Sequence, residues 1–407
     1  MNSSQKFVVS HPTGNTFVRA LLNQLNTKNQ LEKFFTTIGV GGGANSLTSA
    51  LCGEKRQYPI PDKKISRQCV PEIARLLSKG NQEKKRRRVD LSYQALDRKV
   101  SRLLSNHSSQ ILHAYEDGCS SSFARAKELG MQCSYELPIA HWATVRRLLA
   151  EEVERYPQWE PTLESTRELE EKLSRKEEEL RLADRITCPS QFVLDSIPLE
   201  IRQKTPCQIS PFGSPMCEPA SIESSSKNDT LKLSFVGSMS QRKGLADLFE
   251  AMKLLKGEPI SLSILGQPSM PMEFYRKQFA EFEYFPPCSN QKVWEIMKAH
   301  DALVLPSIVE GRALVQQEAL SCGLPIVVTP NAGGEDLIEE GITGHLVPIR
   351  SPEKIEGAIR TMIENRNRKE EIRKLCQKKA KQYSCANYAQ NIIDFNLSNT
   401  ALRLEIA

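Results

Sequence analysis

From residue 231 onward the chain alternates two kinds of pattern. Short apolar runs occupy 231–237, 260–266, 302–306 and 324–329, with a shorter one at 283–285. Helical periodicity fills the gaps, over 245–255, 272–282, 291–300 and 313–321. The apolar runs are too short for helices and show little polar alternation, as strands covered on both faces do. Strands of that kind separated by helices predict a parallel sheet with right-handed crossovers. Beyond Ser351 only helical patterns remain, over 353–365, 369–383 and 388–397.

The first half repeats the theme less regularly. Its pattern predicts strands at 7–10, 34–38, 110–114, 133–137 and 186–189, and helices over 16–25, 96–104, 123–130 and 142–156. Residues 164–183 read as a charged helix with a thin apolar stripe of Leu169, Leu173 and Leu180, so most of its charges form a solvated face. Residues 211–229, with Pro-Phe-Gly-Ser-Pro and Ser-Ser-Ser-Lys-Asn-Asp, predict a linker. The expected organisation is an α/β domain over 1–210, the linker, a second α/β domain over 230–383 and a terminal helical segment over 384–407.

A chain of 407 residues suits two cores better than one. Its 39% apolar and 26% charged content describe a soluble globular protein, and its net charge of +6 permits attraction to anionic substrates or membrane surfaces without requiring either. No run approaches membrane-spanning length, and the start, Met1-Asn2-Ser3-Ser4-Gln5-Lys6, has no signal-peptide pattern. The 11 cysteines are odd in number, scattered and free of Cys-x-x-Cys pairs. That pattern predicts a reducing, cytoplasmic setting and neither a disulfide framework nor a zinc site.

In an open parallel sheet, ligands bind outside the carboxyl ends of the strands. In the second half those ends are the loops 238–244, 267–270, 307–312 and 330–335. They carry Arg242, Lys243, Glu310, Gly311, Arg312, Gly333, Gly334 and Glu335, a mixture that suits a ligand with both phosphates and hydroxyls. Lys243-Gly244 opens the helix after the first strand, where a lysine beside a helix N-terminus can clamp a diphosphate. Glu318 lies four residues from both Leu314 and Cys322, so it interrupts an apolar helix face. A carboxylate there needs partners, and the vicinal hydroxyls of a ribose or hexose can each donate to one oxygen.

Two segments carry a family resemblance. Leu-Pro-Ser-x-x-Glu-Gly-x-x-Leu-x-x-x-Glu-Ala-x-x-x-Gly-x-Pro-Ile-Val-x-Thr covers 305–329, and Phe-Val-Gly-x-x-x-x-x-Lys-Gly covers 235–244. In these the chain resembles the retaining glycosyltransferases of family 4 (glycosyl transferases group 1). The resemblance implies the α/β GT-B fold: two Rossmann-like parallel-sheet domains facing a central cleft, with the C-terminal helix crossing back to the N-terminal domain. It implies a nucleotide-sugar donor held mainly by the C-terminal domain and an acceptor held mainly by the N-terminal one. It further implies retention of anomeric configuration, with no required metal and no cofactor besides the donor. By position, Glu310 would contact the sugar hydroxyls, Glu318 the ribose and Lys243 the diphosphate, helped by the backbone amides of Ala313, Leu314 and Val315. His11-Pro12-Thr13-Gly14-Asn15 would place Gly14 under the donor phosphates. Consistent with metal independence, the sequence has no Asp-x-Asp motif.

Three departures matter. Ser238 stands where the family often has arginine, leaving Arg242 as a candidate substitute. Arg312-Ala313 replaces Phe-Gly after Glu310-Gly311, which would put a cation near the diphosphate. The histidine of the N-terminal domain has two candidates, His141 and His113.

Lys84-Lys85-Arg86-Arg87-Arg88 reads as a solvated loop between helices. It offers peripheral contact with anionic lipid head groups, suiting a lipid-linked acceptor, while no motif supports nucleic acid. A glycan or small-molecule acceptor is equally compatible. Trp142, Tyr156 and Trp159 are either core residues or sugar-stacking faces, and 39–43 reads as a flexible acceptor-side loop. The rival functional readings are a GT-B-fold epimerase or phosphorylase and a non-catalytic sugar-nucleotide-binding scaffold.

Overall fold

The computed structural model describes residues 5–42, 56–78, 82–163, 168–215 and 230–398. Most of the linker and part of the 39–43 loop therefore lie outside the described residues.

The N-terminal sheet has seven strands: β1 (Phe7–Ser10), β2 (Leu31–Thr36), β5 (Ile65–Arg67), β6 (Ile111–Tyr115), β7 (Gln132–Glu136), β8 (Arg185–Cys188) and β9 (Cys207–Ile209). Their order is β5-β2-β1-β6-β7-β8-β9, and every pairing is parallel. A separate parallel pair joins β3 (Val40–Gly42) to β4 (Gln57–Pro61). The second sheet contains β10 (Leu231–Val236), β11 (Ile260–Leu265), β12 (Glu283–Phe285), β13 (Ala302–Leu305), β14 (Ile326–Val328) and β15 (Gly344–Leu346). Its order is β12-β11-β10-β13-β14-β15, again parallel throughout. Two doubly wound sheets of this kind are the expected α/β architecture. The strands absent from the sequence reading are β3, β4, β5, β9 and β15, most of them three-residue edge pieces too short to show a period.

The basic run is not a loop. Lys84–Arg88 falls inside a helix over Gln82–Leu103, supported by an i,i+4 ion pair from Arg87 to Glu83.

The loops at the carboxyl ends of the two sheets meet. A Cβ on Gly311, after β13, would stand 1.7 Å from the Pro138 carbonyl oxygen, after β7. Ser190, after β8, donates its hydroxyl to the Gly311 carbonyl at 2.6 Å. The strand ends therefore face one another, and the cleft between them is where a ligand of this fold binds.

Two segments tie the halves together. The Cys385–Leu397 helix packs Tyr388, Ala389, Ile392 and Ile393 against Val18, Leu21, Leu22 and Leu25 of the Thr16–Thr27 helix. Gln24 and Gln390 are hydrogen-bonded across that contact at 3.0 Å. In the other direction, Trp159 leaves the N-terminal half and enters the C-terminal core, where it meets Phe249, Phe274 and Tyr275. Trp159 is 1% exposed, so its role is core packing and not a sugar-stacking face.

Candidate nucleotide-sugar site

The loop after β10 ends in a short turn over Gln241–Lys243. Gly244 closes it with φ +73, and a Cβ there would stand 2.0 Å from the Pro306 carbonyl oxygen. Only glycine allows both the left-handed conformation and this approach to the end of β13. The approach is held by hydrogen bonds from the Ile308 amide to the Arg242 carbonyl at 2.9 Å and from the Arg242 guanidinium to the Val309 carbonyl at 3.0 Å.

The side chains converge on Glu310. Its Oε1 lies 2.5 Å from Lys243 Nζ and is also paired with the Arg242 guanidinium. Lys243 and Glu310 are both largely shielded, at 11% and 12% side-chain exposure. Burial lowers the Lys243 pKa; Glu310 opposes that shift and Arg242 reinforces it. Two cations therefore share one carboxylate at the mouth of a helix, which leaves positive charge for an anionic ligand.

Glu318 sits on the next element, in the Leu314–Ser321 helix. It is partly buried, no hydrogen bond or ion pair reaches its carboxylate among the described residues, and burial alone raises its pKa. Its neighbours Gln316 and Gln317 are committed elsewhere: Gln316 donates to the Ala332 carbonyl at 2.7 Å and Gln317 to the Phe212 carbonyl at 2.6 Å. The helix has no side-chain cap at Ala313. The Ala313 amide donates to the Ala332 carbonyl at 3.1 Å, so it is not free as expected. The N–H groups of Leu314 and Val315, in the first helical turn, have no intrahelical acceptor.

Arg312 is a clear correction. Its guanidinium donates to both carboxylate oxygens of Asp336 at 2.7 and 3.1 Å, to the Gly333 carbonyl at 3.0 Å and to Gln317 at 3.1 Å. It also lies over the Tyr383 ring at 5.0 Å. With its side chain fully buried, it braces the loop after β14 and is not a spare cation for a diphosphate.

On the N-terminal side, Gly14 lies in the loop from β1 to the Thr16–Thr27 helix, which Asn15 caps by accepting from the Val18 amide at 2.8 Å. His11 accepts from the Thr13 amide at 3.1 Å, and burial beside His113 lowers its pKa to about 3, so this loop presents a neutral imidazole. His141 begins the Trp142–Arg155 helix, two residues beyond the Ile139 contact with Gly311. Its Nε2 lies 2.9 Å from Glu177 Oε1, and burial lowers its pKa while Glu177 opposes the shift. His113 is fully buried inside the sheet, with Nδ1 2.9 Å from the Ser134 hydroxyl and Nε2 3.5 Å from Glu136. Of the two candidates, the structure brings His141 to the cleft loops and leaves His113 in the core.

Sequence reasoning missed Gln241. Its amide side chain donates to Glu152 at 2.7 Å and to Asp247 at 2.8 Å, and its oxygen accepts from the Ala246 amide at 2.8 Å. Glu152 also binds Arg350, and Arg155 donates to Asp247 at 2.8 Å. This buried network fixes the Arg242–Lys243 turn against the N-terminal half. No motif marks it, because its members come from three separate stretches of chain.

A cavity of about 800 Å³ lined by Lys232, Glu258, Glu283 and His300 lies at the amino ends of β10 and β11, away from this cluster. It is the wrong end of a parallel sheet for a fold-positioned ligand, and the cluster is the better candidate.

Residues 218–383 match the family model Glycosyl transferases group 1. The chain is 35% identical over 129 residues to the D-inositol 3-phosphate glycosyltransferase of Pseudarthrobacter chlorophenolicus, covering 29% of this chain and 31% of the relative. It is 30% identical over 182 residues to an uncharacterized glycosyltransferase of Methanocaldococcus jannaschii, covering 42% and 44%. The chain thus matches between about a third and under half of the length of these relatives. Over nearly its whole length it shares a fold with sucrose-phosphate synthase of Thermosynechococcus elongatus, with TM-score 0.68, 14% identity and coverage of 96% and 98%. Anabaena HepE in complex with UDP gives TM-score 0.62, 14% identity and coverage of 96% and 99%. These likenesses carry the fold, which is GT-B.

Proposed function

We propose that the chain is a glycosyltransferase that moves a sugar from a nucleotide-sugar donor to an acceptor in the N-terminal half of the cleft. The observation that carries this reading is the pairing of a two-cation clasp, Arg242 and Lys243 on Glu310, with Glu318 on the helix that follows, a partly buried carboxylate with no hydrogen-bond or ion-pair partner among the described residues. The cations suit a diphosphate and Glu318 suits a ribose diol. When the diphosphate enters, Arg242 and Lys243 exchange Glu310 for phosphate oxygens, and Glu310 turns to the sugar hydroxyls. Lys243 and the first-turn amides of Leu314 and Val315 then stabilise the charge that develops on the departing diphosphate. That role needs no metal, because the charge comes from side chains and helix end. Retention is what the family resemblance implies, with the departing diphosphate oxygen taking the acceptor proton on the same face. The N-terminal histidine candidate for the acceptor side is His141, two residues beyond the Ile139 contact with Gly311.

Thermal shift against nucleoside diphosphates and nucleotide sugars, with and without a divalent-metal chelator, tests the donor site. A chelator-insensitive rise with one nucleotide class is expected, since a ligand that binds only the folded state stabilises it. No rise with any nucleotide at millimolar concentration would sink the reading. Binding followed by no transfer to any acceptor, or by epimerised donor, would favour the scaffold or the epimerase.

A further inference from the structure

The edge of the N-terminal sheet carries an apolar face that stands exposed among the described residues. Val70, Ile73, Leu76 and Leu77, on and just after the Cys69–Leu76 helix, are 77%, 45%, 54% and 78% exposed. Leu91 on the Gln82–Leu103 helix is 56% exposed. Half of the ten large apolar side chains that stand exposed on the described surface fall in this one short stretch, so this is a patch and not scatter. Val70, Ile73 and Leu77 recur at helical spacing, while Glu72 faces inward to Arg56, Arg75 and Ser92.

The neighbouring helix supplies the charge. Gln82–Leu103 holds eight basic residues against three acids. Lys84, Arg87, Arg88 and Leu91 share one face by their spacing and are all exposed. Arg88 joins that face to the apolar helix by donating to the Ala74 carbonyl at 3.0 Å. An apolar helix face bordered by lysines and arginines is the composition of a segment that lies in a membrane interface. No helix among the described residues is long and apolar enough to cross a membrane, so the contact is peripheral.

We infer that this face docks the protein on an anionic bilayer surface, with Val70, Ile73 and Leu77 inserted and Lys84, Arg87 and Arg88 on the head groups. The apolar helix starts directly after β5, on the side where the N-terminal strands end. Docking there turns the acceptor side of the cleft toward the membrane. The docking itself rests on this surface alone and stands or falls independently of glycosyl transfer.

The test is co-sedimentation of the full chain with vesicles of phosphatidylcholine alone and with about 30% phosphatidylglycerol. The wild type is expected to bind the anionic vesicles at least about tenfold more tightly than the neutral ones, more weakly but still measurably at about 0.5 M salt. Val70→Ser with Ile73→Ser and Leu77→Ser, and separately Lys84→Glu with Arg87→Glu, should each lose about tenfold of that binding while keeping the wild-type far-UV spectrum and nucleotide-induced thermal shift. Absence of binding to anionic vesicles would overturn the inference. So would undiminished binding by the apolar triple variant. A concentration-dependent wild-type dimer that the triple variant abolishes, without vesicle binding, would assign the patch to a second copy of the chain instead.

Discussion

Lys243 Nζ and Glu310 Oε1 are 2.5 Å apart, in a pair that Arg242 shares. In the proposed reaction this carboxylate holds the place of the donor diphosphate until the donor arrives. Glu310→Gln therefore separates two properties. Nucleoside diphosphate affinity should stay the same or rise, because both cations are released, while turnover should fall by about a hundredfold from lost contact with the sugar. Calorimetric titration and initial rates read the two effects. Nucleotide affinity and turnover falling together would refute the exchange.

Glu318 carries a burial penalty that a ribose diol would relieve. Its folded-state pKa is raised, so the stability it contributes is complete below the ordinary glutamate range of about 4.3 and is lost as pH rises through the raised value. Glu318→Gln should therefore melt higher than wild type without ligand at neutral pH, the gap closing toward about pH 4. The same variant should raise the donor KM by at least about tenfold. An unchanged KM would end the ribose assignment, and parallel melting curves at all pH values would mean the carboxylate has a partner.

Gly311→Ala tests the domain contact. The added methyl would stand 1.7 Å from a backbone oxygen of Pro138, which no side-chain rotation relieves. The variant should hold the halves apart, with a larger radius of gyration in solution scattering and kcat/KM down by about two orders of magnitude. Wild-type dimensions together with wild-type rates would show that the cleft does not need this closure.

Arg312→Lys should be a stability variant and not a donor-binding one. Lysine cannot reproduce the fork to Asp336, Gly333 and Gln317, and the loss should cost about 2–4 kcal/mol in urea unfolding. The nucleotide dissociation constant should change by less than about threefold. A large loss of nucleotide affinity with unchanged unfolding would return Arg312 to the diphosphate.

Much of this was legible in the chain. The four longer apolar runs of the C-terminal half are strands of one parallel sheet, because burial on both faces leaves no polar alternation to mislead. Glu310, Lys243 and Glu318 stand out in the chain as candidates because loops and helix starts at strand ends are local features of sequence. The three-residue strands β5, β9 and β15 were not, since their geometry is imposed by a neighbouring strand and not by their own pattern. Lys84–Arg88 was misread for a related reason: charge repulsion argues for a loop, and only the long helix around it, packed on Glu72 through Ser92, decides otherwise.

By itself, then, the sequence determined the periodicity of the elements, the parallel sheet they build and the acids and cations at its strand ends, all of which depend on neighbours close in the chain. Tertiary structure decided which charges are spent and which remain. Arg312 and Lys243 are both cations in cleft loops, yet one is consumed by Asp336, 24 residues away, and the other by Glu310 in a pair a phosphate can displace. It also decided that Trp159 belongs to the core of the other half. Partners brought together by folding are set by packing between distant segments, and no local pattern encodes them.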